Sequence, residues 1–246
     1  MITVTILTKN SAETLASTLD SVKEFPEVLV YDTGSSDRTV ELAKQFSNVK
    51  VVEGPFEGFG PTHNKASSLA SHDWILSIDS DEVLSPELSK EILQLELSLS
   101  TVYRIDRHNF FNQKWIRCCG GWYPDPVIRL YHRQKAQFSE AAVHEKILHA
   151  DLKIESLSAP LLHTPYRSIE DFLHKMQLYS TLFAQQNRDK KKSSLKKALF
   201  HSMGAFFKSY FIKRGFLGGK EGFIISLYNG HTTFYKYLKL VRLNDK

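Results

Sequence analysis

The run Trp74-Ile-Leu-Ser-Ile, closed by Asp79, Asp81 and Glu82, constrains this chain more than any other stretch. An apolar run with no water-facing side reads as a strand covered on both faces, the condition of an interior strand in a parallel sheet. Its end is equally informative. Three carboxylates within four residues repel one another and favour a cation. Carboxylate oxygens suit hard divalent ions, and Mg²⁺ usually completes its shell with water and phosphate. Asp79 and Asp81 are two apart, so in extended chain they share a face and can reach one ion or one ion-bound ligand. A solvated acidic turn, with Glu82 opening the next helix, would use the same residues. The flanking chain decides between the two.

Upstream, β-branched alternation over Ile2–Leu7 and apolar runs at Val28–Tyr31 and Val49–Val52 read as strands. Between them lie helical stripes. Leu15, Leu19 and Val22 form one, with Asn10 as its expected cap and Glu13 completing a capping box. Val40 and Ala43 lie on a second, capped by Ser36 or Asp37 and running to Phe46, and Thr62–Ala70 forms a third. This alternation predicts a parallel sheet with covering helices. Ligands bind such sheets outside the carboxyl ends of the strands. Those ends carry Thr8 and Asn10, then Asp32, then the loop Gly54–Gly60, then Asp79 and Asp81. Neither G-x-G-x-x-G after the first strand nor a phosphate-cradling G-x-x-x-x-G-K-[ST] is present. A phosphate ligand would therefore draw its positive charge from elsewhere, and a metal at Asp79 and Asp81 would supply it.

Downstream, a helix is expected from Pro86 to about Leu97, then strands over Thr101–Phe111 and Pro126–Tyr131 around the glycine turn at Gly120–Asp125. From Ser168 the pattern is helical, with a Lys/Ser-rich break at 188–194 and a glycine turn at Gly215–Gly219. The expected division is residues 1–166 as the α/β domain (nucleotide-binding half 1–98, acceptor half 99–166) and 167–246 as a helical, basic region. The net charge of +5 is concentrated in Lys190, Lys191, Lys192, Lys196, Lys197, Lys208, Lys213 and Arg214. Such a patch suits anionic lipid or phosphate, and no nucleic-acid partner is expected. The helix with Phe200, Met203, Phe206, Phe207, Tyr210 and Phe211 is aromatic and basic together. It fits either a membrane surface or ordinary packing on the rest of the chain. Cys118 and Cys119 are adjacent and poorly placed for an unstrained disulfide, which fits a reducing compartment. The chain enters its first strand directly, so no leader peptide is expected, and no apolar run reaches ~18 residues. The expected location is cytoplasmic, peripheral on the inner face of the cytoplasmic membrane.

Taken in order, T-x-N after the first strand, D-T-G-S-S-D-x-T after the second and D-W-I-L-S-I-D-S-D-E at the fourth resemble the GT-A nucleotide-sugar glycosyltransferases of family 2. The later segments G-G-W-Y-P-D-P-V-I-R-L-Y-H-R, A-A-V-H-E-K-I, L-L-H-T-P-Y-R-S-I-E-D-F and G-F-L-G-G-K-E-G-F resemble the branch with lipopolysaccharide core glycosyltransferases of the WaaE/KdtX type. The resemblance spans nearly the whole chain. It implies an α/β, GT-A (Rossmann-like nucleotide-sugar-binding) domain with a helical C-terminal extension. One departure is Arg38, which stands where the more usual D-G-S-x-D-G-T pattern has its second glycine.

The resemblance further implies an inverting transferase that moves a hexose from a UDP-sugar to a lipid-linked glycan acceptor, with Mg²⁺ or Mn²⁺. A polyprenyl phosphate acceptor, or nucleotide-sugar binding without turnover, are the alternatives. Thr8, Asn10 and Asp32 match positions at the nucleobase and ribose, and Asp79 with Asp81 matches the D-x-D at the ribose and the metal-bound diphosphate. Asn64 and Lys65 match polar positions near the nucleotide, and His163 a late metal-binding histidine. Displacement at an anomeric carbon also needs a base within hydrogen-bond reach of the acceptor hydroxyl. His144-Glu145 is the candidate pair. In extended chain only one of the two side chains enters the pocket, and Glu145 is taken as base, with His144 positioning or contacting phosphate. Asp125 is the reserve. Trp122 and Tyr123 fit a sugar platform or core aromatics equally, and Arg129 fits either phosphate binding or pairing with a carboxylate.

Overall fold

The structure is a computed structural model that describes residues 1–140 and 145–244. The elements run β1 (Ile2–Thr8), α1 (Leu15–Ser21), β2 (Glu27–Asp32), α2 (Thr39–Ala43), β3 (Val49–Glu53), α3 (Phe59–Ser68), β4 (Trp74–Asp79), β5 (Glu82–Leu84) and α4 (Pro86–Leu93). There follow β6 (Thr101–Phe111), β7 (Lys114–Trp115), β8 (Pro126–His132), β9 (Gln137–Phe138), β10 (Ile147–Leu148), β11 (Lys153–Ser156) and β12 (Leu161–His163). Three long helices close the chain: α5 (Ile169–Asn187), α6 (Leu195–Phe207) and α7 (Gly219–Asn244).

The chain forms two compact units, Met1–Arg107 with Pro126–His163, and His108–Asp125 with Thr164–Lys246. The segment 108–125, expected in the acceptor half, thus clusters with the helices, and the division falls within β6.

In the first unit the strands follow the order β3-β2-β1-β4-β8-β6-β12-β5. The first four are parallel, as their helical crossovers require. β8 then runs antiparallel to both β4 and β6. β4 lies between β1 and β8, and Ile75, Leu76, Ser77 and Ile78 are all fully buried, as its uninterrupted apolar run demands. Val4, Ile6, Val28, Val30, Leu76 and Ile78 meet Leu15, Leu19, Leu88 and Ile92 in the main core.

Several local expectations are corrected. Asn10 does not cap α1: it sits at φ 53, and the helix starts later, at Leu15, with Thr14 before it. Its short polar side chain tolerates the left-handed turn and serves that turn instead. Glu82 opens the strand β5 rather than a helix, and Ser85 caps α4 through a bond from Leu88 N. Arg38, in place of a glycine, has φ −79 and ψ 13, so no left-handed residue is needed there. The left-handed position in this loop is Gly34, at φ 93.

In the second unit Phe111, Trp122, Phe172 and Ile225 form a core with Tyr166 and Tyr228 packed against it. Trp122 stacks on Tyr166 with ring centroids 5.6 Å apart and is 6% exposed, so it is a core residue and not a sugar platform. Ser168 opens α5 with a full capping box: its hydroxyl accepts from Asp171 N while the Asp171 carboxylate accepts from Ser168 N. α7 passes so close to the turn at Gly215 that a Cβ on Gly222 would lie 1.9 Å from the Gly215 carbonyl oxygen. Cys118 and Cys119 are buried free thiols 3.3 Å apart, and burial pushes the Cys119 thiol up to about 12.

Candidate active site

Register aligns the carboxyl ends of the parallel strands. Thr8 stands opposite Asp32, Asp32 opposite Glu53, and Leu7 opposite Asp79. The four polar ends of the sequence therefore lie along one sheet edge. The first two are joined directly, because Thr8 Oγ1 donates to Asp32 Oδ1 at 3.0 Å. Asp32 Oδ2 accepts from Gly34 N at 3.0 Å and Ser35 N at 2.8 Å, and Oδ1 also accepts from the Ser35 hydroxyl. Asp32 is buried, and its carboxylate folds the loop at 33–36 around itself. Asn10 holds the far side of that loop: its Oδ1 accepts from Ser36 N at 2.8 Å, and its own N donates to Ser35 Oγ at 2.8 Å. A Cβ at Gly54, just past β3, would meet the Tyr31 hydroxyl at 2.1 Å, which explains a glycine at this edge.

The two aspartates of D-x-D have different surroundings. Asp79 Oδ2 accepts from Arg129 Nη2 at 2.6 Å, and Arg107 Nη1 lies 3.9 Å away. Glu82, wholly buried, accepts from Arg107 Nη1 at 2.8 Å and from Arg129 Nη2, and its other oxygen accepts from Asp79 N at 2.9 Å. Two carboxylates and two guanidiniums thus form one network at the end of β4. Burial works against the charge of Asp79, but Arg129 beside it, helped by Arg107, holds its carboxyl well below the usual range. Arg129 pairs with both acids and stays charged despite burial, its guanidinium raised further by them. Asp81, by contrast, faces His163, with Oδ2 3.5 Å from Nε2. Strand pairing of β12 with β5, which sets His163 opposite Glu82, brings the histidine there.

Asn64 is bonded within the protein. Its Nδ2 donates to Phe138 O at 2.9 Å and its Oδ1 accepts from Phe138 N at 2.8 Å, so it clamps the backbone of β9. Lys65, beside it, is exposed. Glu145 is half-buried just before β10, and His144 lies outside the described residues. Asp125 accepts from Asn109 Nδ2 at 2.8 Å within the second unit. Among the described residues no group of three His, Cys, Asp or Glu side chains converges on one point, so Asp81 and His163 stand as a pair.

Sequence reasoning missed Arg107 and His63. A signal for Arg107 existed: it shares a strand face with Tyr103 and Ile105, both buried, so its guanidinium had to find a buried acid. His63 is 1% exposed, stacks on Phe138 at 4.4 Å and bonds Ser77 Oγ through Nδ1 at 3.1 Å. Burial lowers its pKa to about 4. A histidine held neutral in this way stabilises the fold fully above 6.5, and that contribution is lost as pH falls from 6.5 towards 4. Over the whole window the loss amounts to about 3 kcal/mol. Urea melts between those limits are expected to show a falling midpoint that flattens in His63→Asn. The depressed carboxyls of Asp79 and Glu27 lose their contributions below 3.8 and 4.5 respectively.

Similarity to known proteins runs along most of the chain. The family model described as glycosyl transferase family 2 matches residues 3–114. An uncharacterized glycosyltransferase of Rickettsia felis is 31% identical across 98% of this chain and 88% of its own length. The lipopolysaccharide core biosynthesis glycosyltransferase LpsC of Rhizobium meliloti is 25% identical across 89% of this chain and 84% of its own. Among solved structures, S. aureus TarS 1-349 in complex with UDP-GlcNAc superposes with a TM-score of 0.48 at 17% identity, covering 99% of this chain and 89% of that one. The fold is α/β with C-terminal helices, and the chain belongs to glycosyl transferase family 2.

Proposed function

We propose that this glycosyltransferase moves a hexose, with inversion, from a UDP-sugar to a lipid-linked glycan of the lipopolysaccharide inner core. The observation that carries the donor half is the facing pair Asp81 and His163, 3.5 Å apart at the carboxyl end of the sheet. One carboxylate and one imidazole suit Mg²⁺ or Mn²⁺ when a diphosphate completes the shell. Bound there, the ion would act as a Lewis acid on the charge that develops on the leaving diphosphate.

The chain's own residues do the rest. Thr8, Asn10 and Asp32 set the shape of the nucleobase and ribose end by fixing the loop at 33–36. Asp79, anchored by Arg129, presents its free edge to the ribose. Asn64 and Lys65 lie on the helix after the glycine loop, Asn64 holding β9 and Lys65 offering an exposed ammonium. Glu145 takes the proton of the acceptor hydroxyl, and His144 positions that acceptor or its phosphate. The name of the Rhizobium meliloti relative supports a lipopolysaccharide core acceptor. A glycolipid acceptor in turn supports work at the inner face of the cytoplasmic membrane.

The test is a nucleotide-sugar panel titrated by calorimetry with and without Mn²⁺ or Mg²⁺. Metal-enhanced UDP affinity is expected, and Asp81→Ala should reduce it by roughly 10–100-fold, the loss that disturbance of metal-ligand surroundings produces. Unchanged metal-dependent affinity in Asp81→Ala would exclude the metal role of this pair. Parallel turnover assays with core glycolipid and with polyprenyl phosphate separate the two acceptor classes.

A further inference from the structure

The second unit carries a surface that the transfer reaction does not use. Along α6 the residues Phe200, Met203 and Phe207 recur at helical spacing on one stripe, and they are 78%, 71% and 55% exposed. The following π-helical turn, Lys208–Ile212, extends the stripe with exposed Phe211 and Ile212. The 3₁₀ turn Gly215–Gly218 adds exposed Phe216 and Leu217. Beside the stripe lies a groove of about 550 Å³ between α6 and α7, lined by Phe200, Met203, Phe206, Phe207, Phe211 and Leu227. Exposed large apolar side chains running together along one face mark an interaction site rather than ordinary surface.

Charge identifies the partner. Every charged residue from Lys190 to Lys220 is basic: Lys190, Lys191, Lys192, Lys196, Lys197, Lys208, Lys213, Arg214 and Lys220. All of them are exposed. Lys196 stands one helical turn before Phe200, and Lys208 follows Phe207 directly, so ammonium groups border the aromatic stripe. A protein partner of ordinary composition calls for mixed charges around an apolar patch. A stripe of aromatics and aliphatics with basic flanks and no acid matches the headgroup and acyl boundary of an anionic bilayer. No helix among the described residues is long and apolar enough to cross a membrane.

We propose that the α6 face and the two turns after it dock on an anionic membrane surface, with a lipid acyl chain entering the groove between α6 and α7. Phe200, Met203 and Phe207 enter the boundary region while Lys196, Lys208 and Lys213 meet lipid phosphates. The inference deepens the reading of a membrane-borne acceptor, yet its test needs no turnover.

The full-length protein is sedimented with vesicles of phosphatidylcholine alone and of phosphatidylcholine with phosphatidylglycerol. Binding to the anionic vesicles, weakened by salt, is expected. Lys196→Glu with Lys208→Glu and Lys213→Glu should weaken it by more than about tenfold, since each basic residue near the surface contributes on the order of a kcal/mol. Phe200→Ser with Phe207→Ser should weaken it comparably; both side chains are exposed, so these variants leave the fold intact. Met203→Trp reports insertion directly, through a blue shift and quenching by brominated acyl chains measured against the parent protein. Equal binding to neutral vesicles, no binding to either, or a lipid-free dimer that hides the introduced indole from aqueous quenchers would each overturn the proposal. UDP affinity, measured on the same variants, stays unchanged. A parent protein that binds anionic vesicles but not UDP would fault the transferase reading and leave the membrane face standing.

Discussion

Arg129→Met is expected to destabilise the protein by ~3–5 kcal/mol, the range found when one partner of a buried ion pair is removed. Arg129 hydrogen-bonds both Asp79 and Glu82 through the same nitrogen. Glu82 has no exposed surface, and methionine cannot neutralise it. Arg107 remains bonded to Glu82 at 2.8 Å, but at 3.9 Å it does not replace the contact to Asp79. The variant therefore leaves the wholly buried Glu82 with Arg107 as its one remaining guanidinium, and Asp79 with none closer than 3.9 Å. A chain of this size is expected to lose about 10 °C or more of melting temperature. Arg129→Met combined with Glu82→Gln should recover part of the loss, because the charge needing a partner has gone. Arg38→Ala, which opens an exposed pair with Glu41 one turn away, should leave the melt unchanged. Thermal and urea melts of the four proteins test this, and wild-type stability in Arg129→Met would mean that the network does not depend on Arg129.

Glu145→Gln should reduce kcat by about 10²–10⁴-fold, the usual contribution of a positioned general base. Glutamine keeps the size and hydrogen-bonding reach of glutamate but cannot accept the acceptor's proton. UDP-sugar affinity should remain at the parent value, since the base acts on the acceptor and not on the donor. This split between kcat and donor affinity distinguishes a base from a residue that merely supports the fold. Asp125→Asn is the matched comparison: its carboxylate is engaged by Asn109, and its loss should leave most of kcat. The reverse result, with activity retained in Glu145→Gln and abolished in Asp125→Asn, would move the base to Asp125.

The sheet is legible in the sequence because its signals are local. Ile2–Leu7, Val28–Tyr31 and the 74–78 run carry strand periodicity within themselves, and Ser168 with Asp171 announces a helix start within four residues. Asp81 and His163 follow separately from the resemblance, and strand pairing puts them face to face. What escapes a sequence reading depends on partners far along the chain. Asn10 has the side chain of a helix cap, but Ser36, 26 residues later, claims its oxygen and holds it in a left-handed turn. The amide of Asn64 presents a strand-like donor and acceptor to Phe138, 74 residues away, and nothing local announces that bond. Trp122 fits platform or core, and only the packing of Tyr166 and Phe172 around it decides. Glu82 reads as a helix opener because its two arginines cannot be inferred from its neighbours.

Those arginines bear on the order in which the chain can mature. Arg107 reaches Glu82 across 25 residues, and Arg129 reaches Glu82 and Asp79 across 47 and 50. A nascent chain that has emerged only through residue 98 already has all four parallel strands and their helices. It still lacks both guanidiniums that neutralise the end of β4. Contacts of such separation carry the loop-closure cost that slows folding. The acidic corner therefore matures after β6 and β8 have joined the sheet, so the site is completed late in synthesis. The stretch 1–98, excised as a free-standing nucleotide-binding module, would expose this corner with its charge unmet.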